Sequence, residues 1–232
     1  MEVTAVGGVD LAVRPGSVVV LMGPSGSGKT TLLSMLGCLL RPTRGEVRIL
    51  GRPVVWQEPA VSLVRRRYLG FVFQHYNLLS ALTAAENVMV ALRFRGVRDE
   101  ARQARALLER VGLGARWNFL PRDLSGGEKQ RVAIARAIAG NPPVILADEP
   151  TGNLDSASGR AVTGMLKECA VRDHRAVVIV SHDARIVEFA DEVYFLEDGW
   201  LRAGPAAPGE ARDALALPGS ADLAAEKRTS LH

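Results

Sequence analysis

GPSGSGKT, residues 23–30, decides how the rest of this chain is read. The stretch fits the pattern G-x-x-x-x-G-K-[ST]. It follows Val18–Met22, a short apolar run without alternation, which predicts a strand buried on both faces. It precedes Thr31–Leu36, which predicts a helix. Glycines let the loop wrap so that successive N–H groups point inward, and the helix behind it adds positive potential. That arrangement is a cradle for phosphate groups. Lys29 brings a full charge to the outer phosphates, and Thr30 offers a hydroxyl to Mg²⁺. The expected binding residues are Gly23, Pro24, Ser25, Gly26, Ser27, Gly28, Lys29, Thr30 and the adjoining Thr31.

Val144–Ala147 and Ala176–Val180 are further apolar runs of the same kind, and Tyr68–Phe73 is a fourth. Each ends in a polar cluster: DEP, SHD and QHYN. Ligands of open parallel sheets bind outside the carboxyl ends of the strands. Four clusters at four such ends therefore predict one site. Asp148 and Glu149 close a buried strand, where unpaired acids are costly, so they should face a cation or a polar site. Asp148 is expected in the Mg²⁺ shell. Glu149 can orient or deprotonate an attacking water. A DE pair alone would serve equally as a structural ion pair; the phosphate loop is what tips the reading. Gln74 and His182 sit just past predicted strands on the same edge. Gln74 can touch Mg²⁺ or the lytic water, and His182 can hydrogen-bond the terminal phosphate or Glu149.

LSGGEKQR, residues 124–131, poses a different question. Ser125-Gly126-Gly127-Glu128 has capping-box spacing ahead of a helical run. The box accounts for Ser125 and Glu128 but not for the glycines. Missing side chains let a ligand approach the free N–H donors of the helix start, and that ligand should be an anion. Thr83-Ala84-Ala85-Glu86 is a second capping box, opening a helix to about Arg95. Asp99 is expected to cap another, with Ala101, Ala104, Leu108 and Val111 on one face and Gly112 at its end. Gly140-Asn141-Pro142-Pro143 stops the helix that begins at LSGGE. A helical block over about 75–141 is thus inserted between strands of a domain covering 1–203. Residues 204–232, rich in Ala, Gly and Pro, are expected to be flexible or weakly helical.

The chain has 232 residues and is 47% hydrophobic, enough for one substantial core. No apolar run reaches the ~18 residues of a membrane helix. The start, MEVTAVGG, lacks the charged and apolar regions of a signal peptide. Two cysteines, Cys38 and Cys169, are too few for a disulfide framework, which suits a cytosolic address. The net charge is +4 and arginine supplies most of the positive charge. A basic balance can mean nucleic acid or an anionic membrane surface. The arginines between Arg93 and Arg110 are read as a solvated helix face.

Taken together, GPSGSGKT, Gln74, LSGGE at 124–128, VILADE at 144–149, NLD at 153–155 and His182 resemble the ATP-binding-cassette (ABC) ATPase family, over roughly residues 3–202. The resemblance implies an α/β fold: a P-loop NTPase cassette with a mostly parallel sheet core, a small N-terminal β part and an inserted helical subdomain. It implies an ATPase that turns ATP and water into ADP and phosphate, with ATP and Mg²⁺ as ligands. Cassettes of this family pack head to tail. Ser125, Gly126, Gly127 and Glu128 would therefore meet the ATP held by a partner copy, with Asp155 of the NLD segment crossing the interface. The expected partners are a second cassette and a separate transmembrane permease, not nucleic acid. The expected location is cytoplasmic, on the inner face of the cell membrane through that permease. FQHYNLLSALTAAENV, EPTGNLD and SHDARIVEFADEV are similar to the cassettes of lipoprotein-release, macrolide-efflux and glycolipid-export systems, which implies an exporter. The alternative is a non-transport cassette of the cell-division signalling type. One departure stands out. The family has an aromatic residue near its start to stack on adenine, whereas no Phe, Tyr or Trp precedes Trp56. His75, Tyr76, Leu78 and Leu79 fit either a permease-docking edge or ordinary core.

Overall fold

The computed structural model describes residues 4–204. Five strands run parallel at the centre: β1 (Val18–Met22), β4 (Leu69–Val72), β5 (Val144–Asp148), β6 (Ala176–Val180) and β7 (Glu192–Glu197). An antiparallel strand, β8 (Trp200–Ala203), closes the edge in the order β4-β5-β6-β1-β7-β8. A two-stranded hairpin, β2 (Arg48–Ile49) with β3 (Arg52–Pro53), stands apart. The expected N-terminal β part amounts to little. Residues 4–17 form no strand, and only isolated bonds such as Gly7 N–H to the Gly199 carbonyl (2.6 Å) tie them down. Gly7, Gly8, Pro15 and Gly16 interrupt this stretch, and such residues weaken ladder pairing.

Burial on both faces explains the unbroken apolar runs. Val18, Val20 and Met22 of β1 join one apolar cluster, while Val19 and Leu21 join another. The second cluster includes Leu32 and Leu33 of helix α1 (Lys29–Leu36). The first includes Val162, Leu166 and Cys169 of α6 (Ser156–Val171). Strands β7 and β8 are weaker signals, because four of the six residues of β7 are only partly buried and β8 is largely exposed.

Between β4 and β5 lie three helices, α3 (Ala84–Phe94), α4 (Glu100–Arg110) and α5 (Gly126–Ile138). Their buried Leu92, Leu108 and Ile134 belong to the cluster that covers the sheet. Both capping boxes form: Thr83 with Glu86, and Ser125 with Glu128. Asp99 does not cap α4. It adopts a left-handed conformation and its carboxylate pairs with Arg102 instead. Ala101 is also not on the buried face; Ala104, Leu108 and Val111 are. A further helix, α2 (Ala60–Tyr68), precedes β4. Of the expected flexible tail, residues 205–232 lie outside the described residues.

Candidate functional site

Strand register aligns the chain segments that carry the chemistry. Leu21 and Asp148 both pair with Val180, and Ala147 pairs with Val72. The next residues along each strand therefore emerge at one edge: Gly23 after β1, Gln74 after β4, Glu149 after β5 and Ser181 after β6.

The phosphate loop owes its path to its glycines. Gly23 and Gly28 have positive φ, 150° and 98°. A Cβ on Gly23 would lie 2.3 Å from the Leu196 carbonyl oxygen, and one on Gly28 would lie 2.1 Å from that of Ala5. No side chain fits at either point. Lys29 is 8% exposed, and its Nζ donates to the Gly23 and Pro24 carbonyls at 2.8 and 2.7 Å. Burial holds its pKa below the ordinary lysine value, opposed by the carboxylates of Glu149 and Asp148. The buried Ser27 hydroxyl has no hydrogen-bond partner among the described residues. An orphaned donor in a loop of inward amides suits a phosphate oxygen.

Asp148 and Thr30 meet: the Thr30 hydroxyl donates to Asp148 Oδ1 at 3.2 Å. Burial raises the Asp148 pKa, and the Glu149 charge adds to it; the Thr30 bond and Lys29 oppose. A cation beside this pair would offset the cost of the half-buried charge. The two oxygens are hard donors of the type Mg²⁺ takes.

Glu149 is held at φ 45°, in the left-handed region that a non-glycine residue occupies at a cost of about 1–3 kcal/mol. Its N–H donates to the Val180 carbonyl at 2.9 Å, and its own carbonyl accepts from Gly152 at 3.1 Å. This turn delivers the carboxylate across the end of β6. There His182 Nδ1 lies 2.8 Å from Oε1, and the Ser181 hydroxyl donates to Oε2 at 3.1 Å. Ser181 is fully buried. Sequence reasoning passed over it, although a hydroxyl between a buried run and His182 is a usable signal. Gln74 reaches the same turn: its Nε2 borders Gly152, and its main-chain oxygen accepts from Asn153 Nδ2 at 3.0 Å.

A polar clasp lies behind these residues. Asp183 accepts from the Thr151 hydroxyl at 3.2 Å and from Arg185 Nε and Nη2, both at 2.8 Å. Arg185 Nη1 also donates to the Ser156 hydroxyl at the start of α6. The segments carrying Glu149, His182 and Asp155 are thereby joined.

The LSGGE segment, residues 124–128, stands elsewhere. A Cβ on Gly126 would meet the Tyr76 hydroxyl at 3.1 Å, with Leu154 and Asn153 beyond. Ser125 is exposed, and its hydroxyl accepts from Glu128 N–H at 3.2 Å while Glu128 Oε2 accepts from Ser125 N–H at 2.8 Å. The amides of Gly126 and Gly127, first in the helix, have no intrahelical acceptor. Asp155 is committed to α6, accepting from the amides of Ala157 and Ser158. Of the ambiguous residues after Gln74, Leu78 packs against the core and Leu79 is exposed.

Residues 6–152 match the family model described as ABC transporter. The macrolide export ATP-binding/permease protein MacB of Salmonella typhimurium is 44% identical over 215 residues, which are 91% of this chain and 33% of that protein. The MacB of Rhodopseudomonas palustris is 49% identical over 200 residues, 85% of this chain and 30% of that protein. The chain thus spans about a third of the length of the curated relatives it matches. Among solved structures, the dimeric post-hydrolysis state of the ATP-binding cassette MJ0796, bound to ADP and Pi, superposes with a TM-score of 0.79 at 40% identity. It covers 87% of this chain and 91% of that one. CbiO1 of Clostridium perfringens, part of the transporter complex cbiONQ, gives 0.80 at 26% identity, covering 91% of this chain and 84% of that one. With the phosphate loop, the half-buried acids and the glycine-flanked helix start in place, this chain belongs to the ABC transporter family as an ATP-binding cassette.

Proposed function

We propose that the chain is the energy subunit of an exporter, working as a head-to-tail pair. It would act beneath a transmembrane permease on the inner face of the membrane. The observation that carries the catalytic half is the clamping of Glu149 by His182 and Ser181 at the strand end beside Lys29. The loop amides and Lys29 bind and orient the triphosphate. Thr30, Asp148 and the Gln74 amide would hold Mg²⁺, which supplies charge neutralisation on the phosphate oxygens when bound. Glu149 orients a water and takes its proton as the water attacks the terminal phosphorus, and ADP leaves as the bond breaks. His182, tied through Nδ1 to Glu149, would donate from Nε2 to the terminal phosphate when its ring carries both protons.

The glycine-flanked start of α5 supports the pairing. Within one chain it adjoins Tyr76 and Asn153, so its free amides suit a phosphate supplied by a second copy. A two-fold pair would hold two such composite sites. The relatives named as export ATP-binding/permease proteins support the exporter reading. Among the described residues no helix is long and apolar enough to cross a membrane, which fits a permease outside this stretch. Helices α3 to α5 form the arm that would carry nucleotide state to it, with residues 1–203 as one ATPase domain.

Mixed dimers test the pairing. Lys29→Ala leaves the LSGGE segment intact and Ser125→Arg leaves the phosphate loop intact. Each variant alone should be nearly inactive, while a mixture restores one composite site and part of the ATPase rate. A mixture as dead as its components, or a fully active Ser125→Arg protein, would reject the composite site.

A further inference from the structure

Residues 37–68 hold seven arginines against two glutamates, Glu46 and Glu58, in a chain whose net charge is only +4. The rest of the chain is therefore close to neutral, and the basic excess belongs to one stretch. That stretch is a packed unit. Cys38, Val54, Val61 and Leu69 form its own apolar cluster, which draws together the turn after α1, the β2–β3 hairpin and α2. Arg65 stitches it from inside, donating to the Cys38 carbonyl at 2.8 Å and pairing with Glu58 at 3.1 Å. The other six, Arg41, Arg44, Arg48, Arg52, Arg66 and Arg67, are exposed, with Arg48 paired to Glu46 at 2.6 Å.

The same skin is oily. Five of the ten exposed large apolar side chains among the described residues lie here: Leu39, Leu40, Leu50, Val55 and Leu63. Leu63, Arg66 and Arg67 share one face of α2 by their spacing, opposite Val61 and Val64, which pack inward. Leu50 stands at the tip of the hairpin. Nothing in the hydrolytic machinery uses these residues.

We propose that the exposed surface of this unit, led by the Leu63–Arg66–Arg67 face of α2 and by Leu50 at the hairpin tip, rests on the anionic headgroups of a phospholipid bilayer, with its aliphatic side chains entering the headgroup boundary. Arginines forming forked bonds to phosphate, with aliphatic residues beside them, are what a charged lipid surface selects. A nucleic acid fits less well. Its backbone offers nothing to five aliphatic chains, and the aromatics that could stack on bases, Trp56 and Tyr68, are packed against the unit's own cluster. The proposal rests on the membrane location above and is separable from it, since the lipid contact is independent of ATP turnover.

The test is co-sedimentation of the full chain with vesicles of phosphatidylcholine alone or with about 30% phosphatidylglycerol, at low and high salt. Binding should require the anionic lipid and fade with salt. Arg44→Glu with Arg66→Glu should weaken it by more than tenfold, as each neutralised contact is worth about fivefold. Leu50→Ser with Leu63→Ser should weaken it at unchanged charge. ATPase rate in solution should stay normal in both variants, which also certifies folding. Equal binding to neutral vesicles, or variants that bind anionic vesicles normally, would overturn the proposal. So would charge-dependent binding to duplex DNA with none to vesicles, or binding only to vesicles that contain a permease.

Discussion

His182 Nδ1 lies 2.8 Å from Oε1 of Glu149, so the ends of β6 and β5 share one hydrogen bond across the candidate reaction centre. Ser181 holds the other carboxylate oxygen. Glu149 is therefore aimed from two sides, on a backbone turn that only surrounding structure can sustain. His182→Ala removes one of the two holds and leaves the phosphate loop intact. The ATPase rate should fall about 100-fold or more, with ATP affinity changed only a few-fold. Steady-state rates beside equilibrium nucleotide binding decide the matter, and an unchanged rate would count against any role for the pair. Glu149→Gln should abolish turnover and accumulate an ATP-bound dimer, visible by size-exclusion chromatography with ATP.

The clasp behind the site predicts a subtler defect. Asp183 gathers Thr151 and Arg185, and Arg185 reaches on to Ser156. Among the described residues none of these side chains is hydrogen-bonded to Glu149 or His182, so they act as positioning residues. Asp183→Asn and Arg185→Ala should each lower kcat by about tenfold with little change in KM, because the triphosphate contacts remain. Combined, the two should cost little more than either alone, as expected of partners in one network. Additive losses, or losses confined to KM, would mean that the clasp is ordinary surface.

Two loop glycines separate backbone strain from collision. Gly26 and Gly28 both have positive φ, 82° and 98°. A Cβ on Gly26 has nothing within 4 Å, whereas one on Gly28 would sit 2.1 Å from the Ala5 carbonyl oxygen. Gly26→Ala should cost about 1 kcal/mol of stability, and Gly28→Ala clearly more, with weakened ATP binding as the loop shifts. Thermal melts with and without ATP would show the order, and equal effects would contradict the packing of residue 5 on the loop.

The contrast between loop and clasp also explains what the sequence disclosed. Lys29, Asp148, Glu149 and His182 were legible because a both-faces-buried strand leaves an unbroken apolar run, and whatever polar residue ends it stands out. The capping box explains Ser125 and Glu128 but not the glycines, and only packing shows that Gly127 is buried, with a Cβ there falling 2.9 Å from the Ser158 hydroxyl of α6, so that Gly126 is the more open of the two. Ser181 and the Asp183–Arg185–Ser156 bonds were hidden, since they depend on how β5, β6 and α6 come together across about 30 residues of chain. Strand β7 was missed for a related reason: its apolar run, Val193–Leu196, is only four residues long and is bounded by Glu192 and Glu197, and no polar cluster of the site closes it. Asp99 failed as a cap because its backbone adopts a left-handed conformation, which aims the carboxylate at Arg102.

Cys38 offers a check on the unit of turn, hairpin and α2 that is independent of nucleotide. It is 1% exposed, and burial pushes its thiol from an ordinary 9.0 up to about 11, against a smaller opposing pull from Arg65. The sign follows from proton counts. Below pH 9 the thiol is neutral in folded and unfolded chains alike, and the stability linked to its burial is fully present. Between 9 and 11 the unfolded chain loses the proton while the folded one keeps it, so stability falls as pH rises. Cys38→Ala lacks that proton, and other alkaline titrations cancel in the comparison. The wild-type advantage in denaturant midpoint over Cys38→Ala should therefore shrink steadily between about pH 9 and 11, and alkylation of Cys38 in the folded protein should stay slow across the same range. A constant difference, together with rapid labelling at neutral pH, would show that the thiol is open to solvent and that α2 does not close over it.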